Sequence, residues 1–196
     1  MNLLLLPLSA LTILGLLGLL LWWHMAERRA ASQHHRTGHT REMQLLARWL
    51  PLVVAAFLVL QLAGWSLVPF SLSDSARSGL TLVGFIVFVL AGLLALWSRE
   101  TLGSNWARAA DYQVIPGQKL VTEGPYRLSR HPMYFAFWLL FISVELIVGS
   151  WLILLALPLL WILIWQAQQE DALLEREFGQ PWHDYRQHTS LFFPGL

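Results

Sequence analysis

The sequence predicts an all-α integral membrane protein: five transmembrane helices, the last two joined as a helical hairpin, and a C-terminal helical segment on the cytoplasmic side. Three observations lead there. The 196 residues are 56% hydrophobic and 13% charged, with a mean hydropathy of +0.53, far from the balance of an ordinary soluble domain. The apolar residues gather in five runs, comparable in length with the roughly 20 residues a helix needs to cross a hydrocarbon core. Lys and Arg, 13 in all, fall almost entirely in alternate connections between those runs.

Residues 2–23 carry no formal charge and are nearly all Leu, Ile and Gly, which makes the first span. A cleaved signal peptide fits less well, because no basic residue precedes the run and Arg28 and Arg29 come after it. Residues 49–70 form the second span, with Pro51 in its first turn, where a missing N–H costs nothing. Residues 80–97 form the third. Residues 133–148 and 151–165 form the fourth and fifth, separated only by Gly149 and Ser150, so they must run antiparallel as a hairpin. Beyond them Ala172, Leu173, Leu174, Phe178, Trp182 and Tyr185 continue as a helix leaving the membrane and turning at Gly179 and Pro181.

Orientation follows from the positive charges. Arg28, Arg29, Arg36, Arg41 and Arg48 fall in the first loop, Arg99, Arg108, Lys119, Arg127 and Arg130 in the third, and Arg176 and Arg186 in the tail. Only Arg77 lies in the second loop. With an odd number of spans these basic segments share one face, which the positive-inside rule makes cytoplasmic, with the N-terminus outside. The whole chain, 1–196, reads as a single membrane domain: spans one to three in residues 1–101 and a functional half in residues 102–196.

Several chemistries drop out at this point. Net charge is +1, so nothing points to nucleic acid. Cysteine is absent, which removes disulfides and thiolate metal sites. His34, His35 and His39 lie in a polar loop without a carboxylate or cysteine at helical spacing, and read as solvated rather than metal-binding; no metal is expected. Trp22, Trp23, Trp49, Trp65, Trp97, Trp151 and Trp165 fall near span ends, as membrane-interface residues do, whereas Trp106 lies in the third loop beside Asn105, where it either caps a chamber or rests on the interface. Glu145 lies within a span, where an ionisable group is a functional candidate. Four residues from the Gly149 turn, it is expected to reach water by snorkelling. No G-x-G-x-x-G follows a strand, which excludes a soluble dinucleotide fold.

The informative polar residues stand in two separated segments. EGPYRLSRHPMY (123–134) abuts the fourth span, and QAQQEDALLEREFG (166–179) leaves the fifth. A hairpin brings the two together at the cytoplasmic surface, with Glu170 facing the HPMY turn, so one polar pocket is built from distant parts of the chain.

LGSNWA, QKLVTEGPYRLSRHPMY and EDALLEREFG, followed by Trp182, Tyr185 and Pro194, resemble the isoprenylcysteine carboxyl methyltransferase family, most closely its short prokaryotic members with five spans. The likeness covers roughly residues 102–194. Phospholipid methyltransferases and sterol reductases have similar C-terminal halves. The resemblance implies a membrane enzyme that binds S-adenosylmethionine on the cytoplasmic side, in a bacterial inner membrane, and methylates a carboxylate or thiol of a lipophilic or lipidated acceptor reached through membrane lipid. It implies cofactor contacts at Gln118, Lys119, Leu120, Val121, Tyr126, His131, Pro132, Met133, Tyr134 and Glu170, with Glu170 and Arg130 at the reacting centre. Physical sense supports these positions. His131 and Lys119 offer donors to a carboxylate, Glu170 accepts from an ammonium or ribose hydroxyls, and Tyr126 and Tyr134 offer flat surfaces for an adenine. Gln166 stands where the prenylcysteine enzymes carry an arginine facing the acceptor; an amide donates one hydrogen bond there but supplies no bidentate cation. Asp171 stands where a second glutamate is usual, and Trp182 where a tyrosine is. The alternatives are a membrane reductase using NADPH, of the sterol-reductase type, and a non-catalytic lipid-binding or transport protein. The reductases normally have more spans, and transport would favour charged residues deep within them.

Overall fold

The computed structural model describes residues 5–31, 41–65, 68–105 and 118–192. The loop histidines His34, His35 and His39, together with Trp106 and Pro194, lie outside the described residues. The chain forms six helices among the described residues: α1 (Leu5–Ala31), α2 (Arg41–Leu62), α3 (Asp74–Leu102), α4 (Pro132–Val148), α5 (Ala156–Phe178) and α6 (Gln180–His188). Among the described residues, strand-like pairing is confined to isolated bridges, Pro69 with Ser150 and Ser129 with Ser190. By length and composition, residues Leu6–Ala26, Asp74–Leu102 and Trp151–Phe178 are able to cross a membrane, while Leu52–Leu62 and Pro132–Val148 are shorter apolar helices. The molecule is a helical integral membrane protein.

The α3–α4 seam is its most extensive contact, and the reason is visible along α3. Thr81, Gly84, Phe88, Ala91, Ala95 and Ser98 are buried, and they recur at intervals of three and four residues, the spacing of one helix face. Most are small, which lets two backbones approach where hydrocarbon offers no hydrophobic drive for association. Gly84 is the tightest point: a Cβ there would lie 2.8 Å from the Ser143 carbonyl oxygen and 2.9 Å from the Ile147 nitrogen. On α4 the matching face is Met133, Ala136, Ser143 and Ile147. Leu16, Leu58, Leu62, Phe88, Val144, Ile147 and Val148 complete an apolar core that joins α1 and α2 to this seam.

The helix ends differ from the sequence-based spans for local reasons. α2 stops at Leu62 rather than near residue 70, because Gly64 takes a left-handed φ of 105°. Residues 68–70 then run extended against 149–151, with Phe70 N–H donating to Gly149 at 2.6 Å and Trp151 N–H to Val68 at 3.0 Å. α3 is longer than residues 80–97 at both ends; Ser73 caps its start by accepting from Ala76 N–H. The fifth apolar run opens as a 3₁₀ turn, Trp151–Leu155, before α5 begins at Ala156 and runs unbroken to Phe178. Gly179, at φ 56°, turns the chain into α6, where Pro181 sits in the first turn.

Glu145 corrects an expectation. It is 0% exposed, so it does not snorkel to water. Its Oε1 accepts from Gln61 Nε2 of α2 at 2.8 Å, and the extended pairing of 68–70 with 149–151 covers the helix end next to it.

Candidate active site

Gly124–Arg127 is a 3₁₀ turn that delivers the chain to α4. Gly124, at φ 56°, lies so close to α3 that a Cβ would come 2.9 Å from Thr101 Oγ1, a conformation and an approach that favour glycine. Pro132 occupies the first turn of α4 with His131 at its N-cap, a position where the lost N–H is harmless and the ring fixes the entry of the chain.

That entry is held by the C-terminal segment. Arg130 N–H donates to Ser190 at 2.9 Å and His131 N–H to Leu191 at 3.1 Å. Ser129 Oγ donates to Leu191 at 3.0 Å, Ser190 Oγ to Leu128 at 3.1 Å, and Tyr185 hydroxyl to the Tyr126 carbonyl at 2.6 Å. Arg130 Nη1 donates to the carbonyl oxygens of Arg186 and Thr189. Residues 185–191 therefore act as a strap beneath residues 126–131.

α5 meets this entry with two adjacent carboxylates that face different ways, since neighbours on a helix point about 100° apart. The Glu170 side chain is 44% exposed and that of Asp171 only 9%. Glu170 Oε2 accepts from Tyr134 hydroxyl at 3.0 Å and lies 3.6 Å from His131 Nδ1. Asp171 Oδ1 lies 2.6 Å from His131 Nε2, and Oδ2 accepts from Arg130 Nε at 3.2 Å. The Tyr134 ring stacks on His131 at 5.5 Å between centroids. His131 is thus buried with a carboxylate at each ring nitrogen.

The structure gathers Tyr126, Arg130, His131, Tyr134 and Glu170 around this point. Tyr126 is buried, and burial first, then the Glu170 charge, holds its hydroxyl well above the ordinary tyrosine range. Pro132 and Met133 are buried in the helix packing. Gln118 and Lys119 are tied to Asn105 beyond the end of α3: Gln118 Nε2 donates to the Asn105 carbonyl at 3.2 Å and Lys119 N–H to Asn105 Oδ1 at 2.8 Å. Leu120 and Val121 follow, half-buried, and Gln166 is half-buried on α5 one turn before Glu170. Two contributors went unassigned in the sequence. Asp171, read only as a departure from a family pattern, is the residue that joins His131 to Arg130. Tyr185, which carried part of the resemblance, ties α6 to the entry turn. The adjacency of Glu170 and Asp171 was the available signal for the first, and the return of polar residues after Gly179 for the second.

A model of the phospholipid methyltransferase family matches residues 80–181, which takes in most of α3, all of α4 and α5, and every residue of the cluster except the strap. The nickel-cobalt-cadmium resistance protein NccN of Alcaligenes xylosoxydans xylosoxydans is 34% identical over 110 residues, 54% of this chain and 49% of that protein. The protein-S-isoprenylcysteine O-methyltransferase of Dictyostelium discoideum is 26% identical over 116 residues, 58% of this chain and 49% of the enzyme. The chain spans about half the length of these curated relatives. In fold it is similar to the eukaryotic intramembrane Ras methyltransferase, an isoprenylcysteine carboxyl methyltransferase, with a TM-score of 0.64 at 18% identity over 96% of this chain and 68% of that one. The resemblance read from the motifs is thus met in sequence by one relative and in fold by another. With more than half of its length matched, the chain belongs to the phospholipid methyltransferase family.

Proposed function

We propose that the protein is an S-adenosylmethionine-dependent methyltransferase of the isoprenylcysteine carboxyl methyltransferase type, acting on a carboxylate or thiol of a lipophilic or lipidated acceptor. The observation that carries this reading is the meeting of the α4 entry with α5, where Tyr134 donates to a half-exposed Glu170 backed by His131. The family match supports methyl transfer over reduction by NADPH.

The residues present fit such a cofactor. Glu170 offers a carboxylate to an ammonium or to ribose hydroxyls, and the half-buried Tyr134 ring offers a flat surface to a base, with Tyr126 buried beside Glu170. Lys119, exposed on the segment 118–121, supplies a cation for a carboxylate, while Gln118, Leu120 and Val121 form wall. Pro132 and Met133 set the floor by fixing the first turn of α4. When bound, the cofactor supplies a methyl group made electrophilic by its sulfonium charge. The protein's part is to bind, orient and exclude water, because a carboxylate or thiolate acceptor is ionised already or easily ionised. Arg130 serves by holding Asp171 and the strap. Gln166, one turn from Glu170, donates a hydrogen bond toward the acceptor.

In this reading five helices cross a bacterial inner membrane with the α4–α5 pair as a hairpin, the N-terminus outside and the site at the cytoplasmic surface. Residues 1–101 supply three spans and residues 102–196 the catalytic half, and the acceptor arrives through membrane lipid. Titration of the purified protein with S-adenosylmethionine and with NADPH tests it. Saturable binding of the first alone is expected, weakened at least about tenfold in His131→Ala and Glu170→Ala, the loss of roughly one charge-assisted bond. Absence of that binding, or its persistence unchanged in both variants, would sink the reading.

A further inference from the structure

Glu170 and Asp171 are adjacent in sequence, yet of the two only the Glu170 side chain is open to its surroundings. Asp171 is buried, and each of its oxygens is already engaged within the protein, one by His131 Nε2 at 2.6 Å and the other by Arg130 Nε at 3.2 Å. His131 in turn presents its opposite nitrogen, Nδ1, to Glu170 Oε2 at 3.6 Å. Four side chains, two from the entry to α4 and two from α5, thus form one line, Arg130, Asp171, His131, Glu170, whose exposed end is the carboxylate. The line is anchored at its buried end, where Arg130 also grips the carbonyl oxygens of Arg186 and Thr189 in the strap.

We propose that Asp171 is a positioning residue of the site, acting through His131: it holds the imidazole edge toward Glu170 and makes no contact with the ligand itself. This rests on the cofactor reading above. The physical basis is that the two nitrogens of an imidazole are distinct, and a hydrogen bond at one settles what the other offers. With Asp171 accepting at Nε2, rotation of the ring would break this 2.6 Å contact, so Nδ1 stays directed at Glu170. Tyr134, stacked on the ring and bonded to the same Glu170 oxygen, closes the arrangement on its other side. A site group held by a fixed neighbour loses less freedom when a ligand binds, which is the value of such support. The neighbouring pair therefore divides the work, Glu170 binding and Asp171 orienting.

The test uses the full chain in detergent micelles and two readouts. The first is the nitrogen and proton spectrum of the histidine rings in protein labelled at histidine. The wild type is expected to show the His131 ring proton on Nε2, in a strong hydrogen bond, and Asp171→Asn to shift that signal toward a weaker bond or lose it, since a neutral amide oxygen accepts more weakly than a carboxylate even when it faces His131, and accepts nothing from it when it faces Arg130. A His131 signal unchanged in Asp171→Asn would overturn the proposal. The second readout is S-adenosylmethionine affinity in a double-mutant cycle. Asp171→Asn is expected to weaken binding about tenfold in the wild-type background and less than about twofold in the His131→Ala background, the mark of residues acting as one unit. An equal loss in both backgrounds would mean that Asp171 acts independently of His131, and would also overturn it. Absence of binding by the wild type would instead remove the cofactor reading, while the ring spectrum would still decide whether Asp171 positions His131.

Discussion

Asp171 and Glu145 are the carboxylates buried among the described residues, and they are kept there by opposite means. Asp171 has an arginine on one oxygen and an imidazole on the other. Glu145 has a neutral amide, Gln61, on one oxygen, and its Oε2 finds no hydrogen-bond partner. At the site, Arg130, 41 residues away in sequence, supplies a cation that offsets the cost of burying a charge. In the bundle, the polar pair ties α2 to α4 without a cation. The difference predicts which pair fails worse when one member is removed, because an uncompensated buried charge costs more than an unsatisfied amide.

Arg130→Met is therefore the largest expected effect. It strips one oxygen of Asp171 of its donor and frees the strap carbonyls of Arg186 and Thr189, and loss of one partner of a buried ion pair costs about 3–5 kcal/mol. Unfolding in detergent micelles measures it, and a loss under about 1 kcal/mol would place this pair with ordinary surface ion pairs. The Gln61–Glu145 pair is expected to respond more mildly. Glu145→Leu leaves the buried Gln61 amide without its acceptor and costs about 1–3 kcal/mol, whereas replacing both residues with Leu is expected to be nearly neutral, since no polar group is then left unpaired. If the double variant lost as much as the single one, the amide–carboxylate bond would be worth more than its burial costs, and the contrast with Asp171 would collapse.

Legibility in the sequence tracks the same contrast. α1, α3 and α5 announced themselves through apolar runs of membrane length, and the seam of Thr81, Gly84, Phe88, Ala91, Ala95 and Ser98 was present at helical spacing though only the finished packing shows why it is small. Helix ends were less legible: α2 stops at Leu62 because of the conformation of Gly64 and the pairing of 68–70 with 149–151, a long-range event. The meeting of HPMY with Glu170 followed from adjacency of two segments. The burial of Asp171 did not, because Glu-Asp on an emerging helix reads as a solvated face until the rotation of α5 against α4 is known. Gln61 and Glu145, 84 residues apart, carried no mutual signal at all.

The smallest expected effect separates the strap from the charge line it covers. Tyr185 hydroxyl donates to the Tyr126 carbonyl at 2.6 Å, and burial, the dominant cause for both, raises each hydroxyl above the ordinary value of 10.0. Below about pH 10 the folded and unfolded chains both hold these protons, so the bond's contribution is intact. Above it the unfolded chain releases them while the folded chain does not, and stability falls as pH rises. Tyr185→Phe is expected to cost about 1 kcal/mol at neutral pH, one net hydrogen bond, and to make the alkaline decline shallower by removing one of the two groups that drive it. Unfolding measured in micelles from pH 8 to pH 11 reads both effects, that range bracketing the ordinary tyrosine value of about 10. An alkaline decline as steep in the variant as in the wild type would mean that Tyr185 is solvated in the folded chain, leaving the strap held by Arg130 and by the bonds that join residues 128–131 to Ser190 and Leu191.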